Sequence, residues 1–121
     1  MKAILLKSKF YGEHLFVTLE ENGHKKYYLD GRETTKEDGN EYYTKIVTCK
    51  VCGKKVKVTK LTKEDALKLV EEKMSRYDKF VQYIDDYKQF ERQLNINERV
   101  WKEVELLVKC FGLEFDKRKY L

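Results

Sequence analysis

Apolar residues follow two different spacings along this chain, and the change comes near residue 62. In the first half they sit in short runs bounded by glycine. Ala3–Tyr11 is apolar-rich and stops at Gly12, and Leu15-Phe16-Val17-Thr18-Leu19 is β-branched and aromatic. Asn22-Gly23 supplies two residues suited to positive φ, so a type I′ turn and a returning strand over His24–Leu29 are predicted. Residues 30–41 (DGRETTKEDGNE) have no apolar period and are predicted to be a polar loop. Tyr42–Cys49 and Lys54–Thr59 then flank a Cys-Lys-Val-Cys-Gly turn as a second hairpin, with Val56 and Val58 on one side and Lys55, Lys57 and Thr59 on the other.

From Thr62 the spacing becomes helical. Thr62 with Asp65 forms a variant capping box, and Leu67, Val70, Met74, Tyr77, Val81 and Ile84 recur every three or four residues. Phe80, Tyr83, Tyr87, Phe90 and Leu94 widen the stripe. One helix as far as Leu94 would be ~48 Å long at ~1.5 Å per residue. Asn95-Ile96-Asn97-Glu98 interrupts the pattern, with Asn95 or Asn97 as the next cap. Val100, Trp101, Val104, Leu107, Val108 and Phe111 make the face of a second helix, stopped at Gly112. The predicted fold class is α+β. Residues 1–62 form an antiparallel meander of about five strands, flat or curled into a half-open barrel, with a CxxCG hairpin. Residues 63–121 form a helical hairpin with one long helix, packed on the sheet or extending from it as part of one domain.

Composition narrows the class. The chain has 121 residues, 39% of them charged, yet it is rich in Tyr and Phe, unlike a disordered segment. No apolar run approaches the roughly 20 residues of a membrane span, and the run after Met1-Lys2 is too short for a signal peptide. A cytoplasmic protein with reduced or metal-bound cysteines is the expectation. Charge is uneven. Residues 1–62 carry 13 Lys/Arg against 8 Asp/Glu, the whole of the net +5, while residues 63–121 carry 13 of each. No acid lies between Glu41 and Glu64, where Lys45, Lys50, Lys54, Lys55, Lys57, Lys60 and Lys63 fall. Such a stripe either keeps a sheet edge from aggregating or contacts nucleic acid or an acidic protein.

The stripe also holds the cysteine pair. Cys49-Lys50-Val51-Cys52-Gly53 resembles the knuckle of zinc ribbons and rubredoxin-like sites, whose turn aims two thiolates at one metal. No second Cys-x-x-Cys follows, so a ribbon is excluded. Both histidines precede the cysteines, so a C₂H₂ finger is excluded too. Zinc as a structural cofactor would need Cys49 and Cys52 completed by Cys110 with His24 or His14, by the two histidines, or by the same pair in a second chain. Otherwise the thiols are unligated. Redox use is disfavoured because the pair does not open a helix inside a βαβ unit.

Tyr27-Tyr28 and Tyr42-Tyr43 stand beside lysines on predicted strands. Bases stack on such aromatics while lysines hold phosphates, and alternation leaves one Tyr of each pair outward. No phosphate-loop, dinucleotide, nucleophile-elbow or zinc-protease motif occurs. A non-enzymatic binding protein is therefore predicted, contacting nucleic acid through Lys45, Lys50, Lys54, Lys55, Lys57 and Lys60. The alternative is a protein-binding regulator or inhibitor. It would act through Tyr77, Phe80, Tyr83, Tyr87 and Phe90, as a homodimer or against a target. The composition fits an accessory protein of a phage or mobile element.

Overall fold

Two tight turns fold the first half into a sheet. Asn22 and Gly23 have φ of 52° and 79°, and Asp30 and Gly31 have 53° and 87°. Positive φ at both central residues is the type I′ geometry, whose twist matches that of the strands it joins. The computed structural model describes residues 1–50 and 55–120. The strands are β1 (Lys2–Ser8), β2 (Gly12–Glu21), β3 (His24–Leu29), β4 (Arg32–Thr34) and β5 (Lys57–Lys60). They form one antiparallel sheet in the order β4-β3-β2-β1-β5, so β4 and β5 are open edges and no barrel closes.

The predicted second hairpin does not form. Lys36–Val47 is a helix, α1, and the segment after it leads to β5. Thr35 caps α1: its Oγ1 accepts the Asp38 N–H at 3.1 Å, and Glu37 and Asp38 favour the positive end of the helix dipole. Gly39, expected in a turn, lies inside the helix. The predicted polar loop is thus a hairpin turn, a short strand and the first helical turn. Of the knuckle, Val51, Cys52, Gly53 and Lys54 lie outside the described residues, so the cysteine turn itself is not described.

Alternation sorts the sheet's side chains. Ala3, Leu5, Leu15, Val17 and Leu19 point to one face, and all are buried. Burying each of the large ones contributes ~1.5–3 kcal/mol. On the other face α1 lies across the strands: Tyr42 packs edge-on against His14, and Tyr43 edge-on against Phe16. Ile46, from α1, and Leu6, from β1, are fully buried.

Met1–Thr62 and Lys63–Leu121 are two compact units. The second holds α2 (Lys63–Met74), a 3₁₀ turn at Val81–Tyr83, α3 (Tyr87–Phe111) and a 3₁₀ turn at Lys117–Tyr120. The helix break therefore falls after Met74, and the long helix is the second one, 25 residues from its Asp86 cap to Gly112. Gly112 takes the left-handed conformation (φ 61°), and the Leu113 N–H closes the end on the Val108 carbonyl.

Asn95 and Asn97, expected to cap a helix, lie within α3. Asn97 accepts the Asp78 N–H at 3.0 Å and donates to the Asp78 carbonyl at 2.8 Å. Gln93 donates to the Arg76 carbonyl and to Asn97 Oδ1. These amides satisfy backbone groups that a continued helix would have paired internally, which is why the chain can leave the helix there. The buried face of α2 is Ala66, Leu69, Val70, Lys73 and Met74, so the apolar stripe is turned from the predicted one and Leu67 is exposed. Lys73 meets Glu103 of α3 at 2.9 Å, with their side chains 3% and 2% exposed, and Arg99 Nε donates to the same carboxylate. Among the described residues no helix is long and apolar enough to cross a membrane.

Candidate nucleic-acid interface

The sheet register lays out two rows of side chains on the α1 face. One row runs Lys60, Ile4, Phe16, Leu29, Arg32 from β5 to β4, and the next runs Lys2, Thr18, Tyr27, Thr34. Where α1 leaves part of this face uncovered, a groove of about 280 Å³ opens. Ile4, Phe16, Tyr27 and Tyr43 give it apolar and aromatic walls. Lys2, Lys25 and Lys36 border it, with Thr18, Thr34 and Asn40 as neutral polar groups and, among the described residues, no carboxylate in the lining. Tyr27 belongs to the groove face and Tyr28 is centred on the opposite one, as strand alternation requires. Tyr43 reaches the groove from a helix rather than from the predicted strand.

The predicted lysine stripe is divided between two elements. Lys45 is in the last turn of α1, Lys50 and Lys55 are exposed beyond it, and Lys57 and Lys60 are exposed on the edge strand β5. Lys54 lies outside the described residues. Among the described residues none of Lys45, Lys50, Lys55, Lys57 and Lys60 is in an ion pair, and neither is Lys2, Lys25 or Lys36. Lys25 stands opposite Glu20 in the register without closing a pair. Lys60 sits across from Ile4 and shares the groove's face, whereas Lys57, across from Lys7, lies on the opposite face of the sheet.

The described thiols and the histidines lie on or beside different elements. Cys49 follows α1, Cys110 is near the end of α3, and His24 is exposed at the hairpin tip. Among the described residues no three His, Cys, Asp or Glu side chains gather as metal ligands. Cys52 lies outside them. His14 has both ring nitrogens engaged: Nδ1 with Asp30 Oδ2 and Nε2 with the Tyr11 carbonyl, each at 2.6 Å. Asp30 Oδ1 also accepts the Leu15 N–H. His14 thus ties the β3–β4 turn to β2, and ligating a metal would cost it one of these bonds. Burial pushes the Cys110 thiol above its ordinary pKa.

The five predicted partner-interface aromatics have different surroundings. Tyr77 packs on Trp101 with ring centroids 5.6 Å apart, and Phe90 is half-buried. Phe80, Tyr83 and Tyr87 are 56%, 72% and 72% exposed. Comparison with protein-family models, curated proteins and solved structures finds no match for this chain.

Proposed function

We propose that this is a non-enzymatic nucleic-acid-binding protein whose lysines at the end of α1 and along β5 contact phosphates. The supporting observation is a set of exposed lysines, Lys45, Lys50, Lys55, Lys57 and Lys60, that have no ion pair among the described residues and fall in an acid-free stretch of sequence. A lysine already paired with a carboxylate gives up that contact when it meets a phosphate, and these have none to give up. Neutralising phosphates releases counterions, so affinity falls steeply with salt. Binding to mixed-sequence DNA and RNA is expected at low salt by fluorescence anisotropy, with a strongly negative salt slope. Reversing Lys50, Lys55 and Lys57 to Glu should remove it. No binding to either pool at low salt would overturn the reading. Zinc on Cys49 and Cys52, as a structural brace, belongs to the same proposal, and native mass measurement with metal analysis tests it.

The exposed aromatics favour a second reading, in which Phe80, Tyr83 and Tyr87 cover each other in a homodimer. Large exposed aromatic patches commonly mark interfaces. Sedimentation should then show a dimer that Tyr83→Ser with Tyr87→Ser dissociates. A monomer at every concentration would rule it out.

A further inference from the structure

We infer that the groove between α1 and the sheet seats an unpaired nucleobase, so that the nucleic acid this protein prefers is single-stranded. This rests on the nucleic-acid reading above but on different residues. The lysines of the stripe carry charge alone and would serve any phosphate backbone. The groove adds aromatic rings, a bounded volume and lysines of its own.

Three observations select the occupant. First, Lys2, Lys25 and Lys36 come from β1, β3 and α1, and among the described residues no carboxylate lines the groove, so the complementary ligand is an anion. Second, Tyr27, Phe16 and Tyr43 wall the space, and Phe16 meets Tyr43 edge to face at 5.7 Å. A flat π-system suits such walls, and a base has one whatever its identity. Third, about 280 Å³ is near the small end of ligand pockets, which run from roughly 300 to 1,000 Å³. A single planar ring system fits that scale.

A strand is favoured over a free nucleotide by continuity along the face. Lys60 on β5 is the register partner of Ile4 on β1, a groove residue, and is the lysine of the stripe that shares the groove's face. A chain with its base in the groove can therefore run its phosphates toward β5. In a duplex the bases are stacked and paired, so a base would first have to be pulled out, at a cost of a few kcal/mol that a single strand avoids.

The test uses the full chain and a short oligothymidylate carrying one 2-aminopurine, compared with its duplex. Single-strand binding tighter than duplex binding is expected, with quenching of the 2-aminopurine as it stacks. Tyr27→Leu with Tyr43→Leu should weaken single-strand binding by about 10-fold or more and abolish the quench, while duplex binding stays as it was. Because Tyr43 packs on Phe16, that variant could lose its fold. Lys25→Glu with Lys36→Glu is the second probe. It leaves the aromatic walls intact and should also erase the single-strand preference.

Any of three results overturns the inference: no quench with the wild-type chain, both variant pairs binding single strands as tightly as wild type, or an acidic peptide or a free nucleotide competing as well as the strand. The stripe is read separately through Lys50, Lys55 and Lys57. If their reversal spares single-strand binding while the groove variants remove it, the stripe reading fails and the groove stands. If the reversal removes binding of both forms and the groove variants do not, the groove fails and the stripe stands.

Discussion

The two halves of this protein hold equal numbers of cationic side chains and use them differently. In Lys63–Leu121 five of the 13 Lys/Arg meet carboxylates among the described residues. Lys73 and Arg99 meet Glu103, Arg76 meets Glu72, Lys102 meets Glu98, and Arg118 lies near Asp116. In Met1–Thr62 Lys26 pairs with Glu21, but the lysines around the groove and along β5 have no ion pair among the described residues. The difference follows from geometry as well as composition. A helix brings residues four apart together, so acids and bases scattered along it find each other. The edge strand β5 (Lys57–Lys60) contains no acid, and its register partners on β1, Ile4 to Lys7, contain none either. The helical half holds more of its ion pairs through helix spacing, and the lysines around the groove and along β5 are outside any pair among the described residues.

Lys73 puts the largest number on this contrast. It is buried and its carboxylate partner is buried with it, so Lys73→Met leaves Glu103 with only the half-exposed Arg99. Removing one member of a buried pair costs ~3–5 kcal/mol, and replacing both by apolar residues recovers most of that. Denaturant titration should therefore show a large loss for Lys73→Met and a much smaller one for Lys73→Met with Glu103→Leu. Lys57→Met, on the exposed edge, should change stability by no more than ~0.5 kcal/mol. Equal effects at positions 73 and 57 would erase the distinction between the two halves.

Asn97 is next in size. It serves both backbone groups of Asp78, and Asn97→Ala leaves a donor and an acceptor to find water in a partly buried place. The expected loss is ~1–3 kcal/mol. Hydrogen exchange should localise the change to residues 75–86, with little effect on the sheet half. An effect spread over both halves would show that they do not respond separately.

Asn97 also marks where the sequence stops being legible. The strands and the Asn22-Gly23 turn follow from alternation and turn chemistry, which act between near neighbours. The helix break at Met74 does not, because Tyr77, Val81 and Ile84 keep helical spacing straight through it. The backbone freed there is paired by the side-chain amide of Asn97, nineteen positions beyond Asp78. Lys73 and Glu103 carry a signal in the sequence: they are opposite charges at core positions of two helices, on the faces of Leu69-Val70 and Val100-Val104. The missed helix α1 had a local signal: Thr35 with Asp38 repeats the pattern of Thr62 with Asp65. Gly39 and the polar run around it obscured that signal, since glycine in a helix interior costs ~1 kcal/mol relative to alanine. Missing α1 also hid half of the groove. Alternation predicts only that one of Tyr27 and Tyr28 faces outward, and Tyr43, Lys36 and Asn40 join Tyr27 because a helix crosses the sheet there.

Cys110 gives the smallest effect and tests the helical half on its own. Burial disfavours its thiolate, so its pKa in the folded chain lies above that of the unfolded one. Below the unfolded pKa, ~8.5 for a free thiol, both states hold the proton and stability does not depend on this group. As pH rises through that value the unfolded chain loses its proton first, so stability falls until the folded thiol also ionises. Cys110→Ala should remove this component of the alkaline decline, seen as a shallower fall of the denaturation midpoint above pH ~8.5. Alkylation of Cys110 in the native chain should correspondingly be slower at pH ~8.5 than that of a small free thiol, because only the thiolate reacts. A rate equal to the free thiol would mean the end of α3 opens readily. The helical half would then be held less firmly near its last turn than its buried Lys73–Glu103 pair implies.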